Sequence, residues 1–232
     1  MGNFYAGAYW DARKESSIEC ADRLLACLSA LAEIDQSLST WYKKGSSRAA
    51  ASREAVDSSS REALAELLVA GQNRRDVGGA VIRELGFNAA LWNRADEPAS
   101  FRVTCGSYID NPAIKNVFLL QLPEFSGHLE SLGSRSSAIA TVKAFVDAWK
   151  PDWVTWASRD WRAVQSVSAD CPVYGLATYV AGKSAAGFTF SEVSVEQYGD
   201  GSLLAFNGER DDVTSEAVAA LQEAFQAHSA ES

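Results

Sequence analysis

The segment from Tyr9 to Arg48 contains the best-defined helix of the sequence, and it constrains the fold more than any other stretch. Ser16 is predicted to cap this helix, because Glu19 follows three residues later with the spacing of a capping box. The apolar residues after the cap recur every three or four positions, which is typical of a helix that buries one face. They are Ile18, Ala21, Leu24, Leu25, Leu28, Leu31 and Ala32.

Beyond Leu85 the spacing of apolar residues changes from helical to strand-like. Three short apolar runs, at 87–94, 100–108 and 116–122, are separated by Asp-Glu-Pro and Asp-Asn-Pro, which are turn signals. Consecutive strands with short links favour antiparallel pairing. We therefore expect an antiparallel meander in the middle of the chain.

Two more helices have recognisable starts. Ser59 with Glu62 forms a second capping box, and Ser136 or Ser137 precedes an amphipathic stretch that ends before Pro151. With the strands, these helices predict a single α+β domain over residues 1–232. Its helices are expected to pack on a mixed or mainly antiparallel sheet.

Four tryptophans lie close together between positions 149 and 161. Trp153 and Trp156 are three residues apart, so in a strand they point to opposite faces, which places their strand in the middle of the sheet. Such a cluster could form a stacking platform for sugars or bases, but its spacing fits core packing better. Trp161 is the exception, because charged residues surround it, and we expect it to be exposed.

The charge balance limits the possible partners. The chain has 30 Asp and Glu against 21 Lys and Arg, a formal net charge of −9. A nucleic-acid-binding surface needs clustered Lys and Arg, so nucleic acid is not expected as a partner. A basic protein partner fits this charge. No apolar run approaches the roughly 18 residues that span a bilayer, so no membrane segment is expected.

Cysteine and histidine usage limits the chemistry. The cysteines show no Cys-x-x-Cys spacing and lie in apolar segments, so we expect reduced core thiols in a cytoplasmic protein. His128 lies in a loop and His228 in the terminal helix, which argues against a metal site and against Ser-His or Cys-His catalysis. We therefore expect no metal and no cofactor. The cysteines are Cys20, Cys27, Cys105 and Cys171.

Three short patterns recur in order near the N-terminus: YW-x-x-R-x-E, then C-A-x-R-L-x-x-x-L, then W-Y-x-K-G-x-S-R. Their order and spacing resemble the signature of immunity protein family 52. The resemblance implies a bacterial polymorphic toxin system, including type VI secretion, and a toxin that is often a restriction-endonuclease-like nuclease. It also implies tight stoichiometric toxin binding without catalysis. Residues that carry the match, and that we expect to be structural, are Trp10, Arg13, Glu15, Cys20, Trp41, Lys44, Gly45 and Arg48.

Acidic loops are the candidate toxin contacts. Carboxylates on turns and after strands are either ordinary solvated loop residues or a decoy for a basic nucleic-acid path on the toxin. Trp161 joins them as the tryptophan that we expect to be exposed. The candidates are Asp96, Glu97, Trp161, Asp200, Glu209, Asp211 and Asp212.

Two other function classes stay open at this point. A hydrolase that uses Asp or Glu side chains would need paired carboxylates that converge in a pocket. A structural homo-oligomeric scaffold would need neither a toxin nor a pocket. The sequence leaves the oligomeric state open.

Overall fold

The computed structural model describes residues 4–43, 55–109, 111, 114–124, 127–166 and 171–231. Its strands are β1 (Phe4–Trp10), β2 (Trp41–Lys43), β3 (Ala55–Val56), β4 (Phe87–Trp92), β5 (Ser100–Cys105), β6 (Asn116–Gln121), β7 (Trp153–Ser158), β8 (Ala177–Ala181), β9 (Val193–Tyr198) and β10 (Gly201–Phe206). They form one sheet in the order β3-β2-β4-β5-β6-β1-β7-β8-β10-β9. Every neighbouring pair is antiparallel.

In the described ranges, five α-helices accompany the sheet: α1 (Ser17–Ile34), α2 (Arg61–Ala70), α3 (Arg135–Trp149), α4 (Arg159–Ala163) and α5 (Ser215–Glu231). The predicted α+β class is therefore confirmed, and the sheet is antiparallel throughout. Within the described ranges, no helix is both long enough and apolar enough to cross a membrane. The strand around Trp153 lies in the middle of the sheet, as its spacing predicted.

One face of the sheet, the helical face, packs against α3 through aromatic rings. Trp149 at the end of α3 stacks on Trp10 of β1, with ring centroids 5.0 Å apart. It also stacks on Phe118 of β6 at 5.6 Å, and Phe145 meets Phe118 edge-on at 5.0 Å. These rings are buried, so they form the centre of the core.

The other face, the second face, is covered only over part of its width. The Ser202 hydroxyl of β10 donates to the carbonyl of Lys183 at 2.8 Å, so the segment after β8 crosses this face. Phe188 of that segment packs edge-on against Phe225 of α5, with centroids 5.1 Å apart. The strand residues beneath this cover are buried: Thr155, Ala157, Thr178, Val180, Ser202 and Leu204.

The start of α1 confirms the predicted capping box. The Ser16 hydroxyl accepts the backbone N–H of Glu19 at 3.2 Å, and the Glu19 carboxylate accepts the backbone N–H of Ser16 at 2.7 Å. The expected burial of Ile18 is wrong, since this residue is 41% exposed. At about 100° per residue, Ile18 points away from the stripe centred on Leu24 and Leu31.

The starts of α2 and α3 differ from prediction. Ser60, not Ser59, caps α2 by accepting a backbone N–H three residues on at 3.2 Å. The Ser59 hydroxyl instead donates to a carboxylate two residues upstream. Ser134 caps α3, two or three residues before the predicted Ser136 or Ser137. Runs of serine offer several equivalent capping groups, and the tertiary fold selects among them.

Candidate functional site

The motif residues between β1 and α1 form an ion-pair network. The Glu15 carboxylate accepts Nε of Arg23 at 2.6 Å and lies 3.1 Å from Nε of Arg13. Both guanidinium groups also donate to carbonyls at the end of α3: Arg13 to Trp149 at 2.8 Å, and Arg23 to Ala148 at 2.9 Å. Because the last carbonyls of a helix lack intrahelical partners, the two arginines cap α3. The network thereby links the corner between β1 and α1 to the end of α3.

The other described motif residues lie in the core. Trp10, Cys20 and Trp41 are at most 2% exposed. Trp41 lies edge-on to Phe101 with ring centroids 4.8 Å apart. These residues position the sheet against α1 and do not present a surface to a partner. Lys44, Gly45 and Arg48 lie outside the described residues.

The predicted acidic contacts lie at opposite ends of the sheet. The turn with Asp96 and Glu97 joins β4 to β5 at the end where β1 begins, which we call the Phe4 end. The segment that follows β10 lies at the same end, and it holds Glu209, Asp211 and Asp212. Asp200 lies at the Trp10 end, because it joins β9 to β10 there.

Three of these carboxylates bond within the fold. Asp200 accepts the Tyr179 hydroxyl at 2.5 Å, and Glu209 accepts the backbone N–H of Arg135 at the start of α3 at 2.8 Å. Asp212 accepts the backbone N–H of Glu209 at 2.9 Å. These groups hold turns in place, a use that a count of charges along the sequence does not reveal.

Asp211 is largely exposed although it has an ion-pair partner. Its side chain is 81% exposed, and it pairs with Nε of Arg210 at 2.8 Å. The Arg210 guanidinium lowers the pKa of Asp211 below its ordinary value. The carboxylate therefore stays charged and reaches solvent at the Phe4 end.

The expected exposure of Trp161 is wrong. The side chain is 6% exposed, and its ring meets Phe4 of β1 edge-on with centroids 5.5 Å apart. Ser158 caps the short helix α4 and accepts the backbone N–H of Trp161 at 3.0 Å. Neighbours one residue away on a helix point in other directions, so the charged residues around Trp161 lie outside while its ring lies inside.

The second face is open over β4, β5, β6 and part of β1, and we call this the open sheet face. Residues of β5 and β6 alternate strictly, with buried side chains on the helical face and partly or fully exposed ones here. Such alternation is typical of an antiparallel sheet with one solvated side. On β4, Ala90 is exposed, and Asn88 and Trp92 are half-buried. Its residues on β4, β5 and β6 are Asn88, Ala90, Trp92, Ser100, Arg102, Thr104, Val117, Leu119 and Gln121.

Tyr5 and Tyr9 of β1 form one border of the open sheet face. The Tyr9 ring stacks on Trp153 with centroids 3.9 Å apart. The Tyr5 hydroxyl is buried and meets no hydrogen-bond partner in good geometry, although the Arg162 guanidinium lies close to it. Burial raises the pKa of both phenols, while Arg162 acts against that rise at each ring. The border is therefore aromatic and lies next to positive charge.

One carboxylate pair bears on the hydrolase alternative. The Asp11 backbone N–H donates to the Asp152 carboxylate at 2.9 Å, and burial and then the Asp11 charge raise the pKa of Asp152. The Asp11 side chain is 71% exposed and pairs with Lys115. The Asp152 backbone N–H also donates to the carbonyl of Tyr9 at 2.9 Å. The pair thus joins the ends of β1 and β7 at an exposed corner.

A second pair lines a cavity. Glu192 and Asp212 border a cavity of about 490 Å³ at the start of α5, which Phe206 and Val213 also line. Asp212 is already bonded to the Glu209 backbone and closes a turn. Within the described part of the chain, no three His, Cys, Asp or Glu side chains are grouped so that they could hold a metal ion.

Comparison with known proteins identifies relatives for this fold. Residues 2–231 match the family model described as Immunity protein 52. Among solved structures, the chain is similar to the Pseudomonas aeruginosa T6SS protein PA0821, with a TM-score of 0.54 and 11% sequence identity. That likeness covers 96% of this chain and 72% of the other, and at this identity it concerns the fold alone. No functionally curated protein matches the sequence.

Proposed function

This chain belongs to the immunity protein 52 family, and on this basis we propose that it binds and neutralises the cognate toxin of a bacterial toxin system. The family match over nearly the whole chain carries the proposal. The contacts of the described motif residues are consistent with it, because Arg13 and Glu15 are engaged in the ion-pair network and Trp10, Cys20 and Trp41 are buried. Surface residues would then make the contacts with the toxin, as in a protein that acts by binding a partner.

The proposal extends to the class of toxin. We propose a nuclease effector, of the restriction-endonuclease-like kind, that is delivered by type VI secretion. The resemblance of the motifs supports the nuclease. The shared fold with a protein described as a T6SS component supports the route of delivery.

Neutralisation is proposed to be stoichiometric and non-catalytic. The described carboxylate pairs are engaged in structure: Asp152 fixes the end of β1, and Asp212 closes a turn. The net charge of −9 would attract a basic toxin and speed association, an effect that weakens as salt rises. Inhibition by mass action needs no reactive group on this chain.

The proposed contacts follow from where the structure places the acidic candidates. Asp96, Glu97 and Asp211 lie at the Phe4 end, where one partner could meet them. Glu209 and Asp212 border the same end. Asp200 lies at the other end and is a weaker candidate for the same contact. Trp161 was a candidate contact because we expected it to be exposed. It is buried, so this reason no longer holds.

We place the protein in the cytoplasm, where a producing cell would need protection. All four cysteines carry free thiols, and three of them are buried. Free thiols fit a reducing compartment. A toxin delivered by a neighbouring cell would be met there before it reached its target.

The experiment that tests the proposal is light scattering coupled to size-exclusion chromatography. The probe is the protein encoded by the reading frame adjacent to this gene, carrying an inactivating substitution so that it can be produced. The expected result is a complex with the summed mass of both chains that survives dilution to nanomolar concentration. Separate elution of the two chains at micromolar concentration would overturn the proposal.

A further inference from the structure

The open sheet face differs in charge from the rest of the molecule. The residues of β4, β5, β6 and β1 on this face include no Asp or Glu, although the chain as a whole has 30. They include one exposed arginine, Arg102, near the middle. In an acidic protein, a surface free of carboxylates is the place where a negatively charged partner would meet least repulsion.

Arg102 is exposed and has no partner among the described residues. It lies between Leu119 of β6 and Ala90 of β4 on the open sheet face. Within the described part of the chain, its guanidinium makes no hydrogen bond and no ion pair. A guanidinium offers five donors in a planar fork that matches a carboxylate. The exposed Arg102 guanidinium can therefore donate hydrogen bonds to a carboxylate of a partner protein.

Further arginines surround the same face. Burial raises the pKa of Tyr9, and the charges of Arg162 and Arg102 act against that rise. Arg159 donates to the side chain of Gln121 at 2.9 Å, at the Phe4 end of β6. The Arg94 guanidinium lies 5.6 Å from the ring centroid of Tyr42 on the neighbouring strand β2. Positive charge therefore occupies the centre of the face and its edge.

Aromatic side chains accompany these arginines. Tyr9 and Trp153 stack beside Arg162, and Trp92 and Tyr42 lie on the far strands of the same face, all of them half-buried. Binding energy at protein interfaces concentrates in tyrosine, tryptophan and arginine, because they combine large contact area with directed hydrogen bonds. The rigid antiparallel sheet holds them in place before a partner arrives, which lowers the entropy cost of binding.

From this arrangement we propose that the open sheet face is the docking surface for the toxin, and that it receives a carboxylate-bearing surface through Arg102 and the neighbouring arginines. The inference rests on the proposed function and names the surface that performs it. Charge complementarity selects the occupant, since Arg102 on this face and Arg94, Arg159 and Arg162 around it favour a local carboxylate-bearing patch, while the net charge of −9 acts at longer range on a basic toxin as a whole. The acidic turn with Asp96 and Glu97 borders this face and would contribute charge at its rim.

The test compares charge reversals on the two faces of the sheet. Arg102→Glu changes the centre of the open sheet face, and Arg61→Glu on α2 makes the same change of charge on the opposite side. Arg61 is a matched control because its side chain is also exposed, at 49%. Affinity for the inactivated toxin from the adjacent reading frame is measured by surface plasmon resonance, and thermal unfolding confirms that each variant folds.

Arg102→Glu is expected to weaken binding by about 100-fold, chiefly through faster dissociation, because a charge pair at the centre of an interface is lost. Arg61→Glu is expected to change affinity by less than about threefold. Arg102→Lys keeps the charge but loses the fork, so an intermediate loss of about tenfold is expected.

Two results would overturn the inference while the proposed function stands. In the first, the Arg102→Glu variant binds the toxin as tightly as the wild-type protein does. In the second, Arg102→Glu and Arg61→Glu weaken binding equally. In the first case the toxin docks elsewhere, and in the second only net charge matters. If the wild-type protein forms no complex at all, both the docking surface and the proposed function fail.

Discussion

The Glu15 carboxylate accepts a hydrogen bond from Nε of Arg23 at 2.6 Å and does so almost out of contact with solvent, since its side chain is 7% exposed. The same carboxylate lies 3.1 Å from Arg13, so one buried negative charge serves two guanidinium groups. Those groups in turn reach the carbonyls at the end of α3. The network therefore ties the corner between β1 and α1 to the helix that covers the core.

Glu15→Gln should destabilise the protein, because it leaves two partly buried guanidinium groups without their counter-charge. Breaking a buried ion pair costs about 3 to 5 kcal/mol, and the partial exposure of the arginines reduces this to about 2 to 3 kcal/mol. Urea unfolding measures the change. Glu62→Gln, which removes an exposed pair with Arg61, is the control and should leave the midpoint unchanged. Equal midpoints for both variants would show that the network is dispensable.

Trp149→Ala should be the most destabilising single change of those considered for the core. The ring is fully buried and stacks on both Trp10 and Phe118. Truncation of a buried tryptophan costs about 3 to 5 kcal/mol, from lost transfer energy and from the cavity left behind. Thermal unfolding of Trp149→Ala should show a loss several times that of Trp149→Phe. A loss below about 1 kcal/mol would mean that α3 does not depend on this stack.

The cysteines should differ in reactivity with a thiol reagent such as dithiobis-nitrobenzoate. Burial raises the pKa of Cys27 to about 12. The hydrogen bond with the fully buried Cys20, and then burial, raise the pKa of Cys105. The thiolate is the reactive form, so these three should be inert in the native protein. Only the half-buried Cys171 should react quickly. Titration in guanidinium chloride should then reveal all four thiols, and fast native reaction of more than one would contradict the buried core.

Asp152 should contribute a pH dependence to stability that Asp152→Asn removes. Burial raises its pKa in the folded protein, so the folded state binds this proton more tightly than the unfolded state does. The contribution is fully present below the ordinary aspartate pKa of about 3.9 and is lost as the pH rises through the folded pKa. Relative to Asp152→Asn, the wild-type protein should therefore lose stability as the pH rises above about 4.

Urea unfolding of both proteins at several pH values makes this comparison. All other titrating groups are shared, so they cancel in the difference between the two proteins. A difference that stays constant with pH, or that favours the wild-type protein as the pH rises, would show that Asp152 is not held in an environment that disfavours its charge.

Local patterns predicted much of the fold, and the predictions that failed depend on tertiary contacts. The Ser16 and Glu19 capping box and the central strand at Trp153 depend on neighbouring residues alone, and both are confirmed. The exposure of Trp161 was wrong because the direction of one side chain on a five-residue helix is set by what lies beneath it. Charge along the chain says how many carboxylates a loop has, but not which of them hold the loop together.

The candidate surface was harder to predict than the fold. The open sheet face brings together strands from positions 5–9, 88–92, 100–104 and 117–121, and no window of sequence contains them all. Arg102 carried no local signal, since an exposed arginine on a strand is common. Alternation in β5 and β6 could have indicated a solvated side of the sheet, but only pairing shows that the two solvated sides coincide.

The central claim, stoichiometric neutralisation of a toxin, is tested most directly by a titration of toxin activity against added protein. The toxin encoded beside this gene is held at a concentration well above the dissociation constant, and its residual activity is recorded as the purified protein is added. We predict that toxin activity falls linearly to zero at a fixed molar ratio. Protein recovered from the complex should inhibit fresh toxin at the same ratio. Undiminished activity at a tenfold excess, or complete inactivation by a small fraction of one equivalent, would contradict the account.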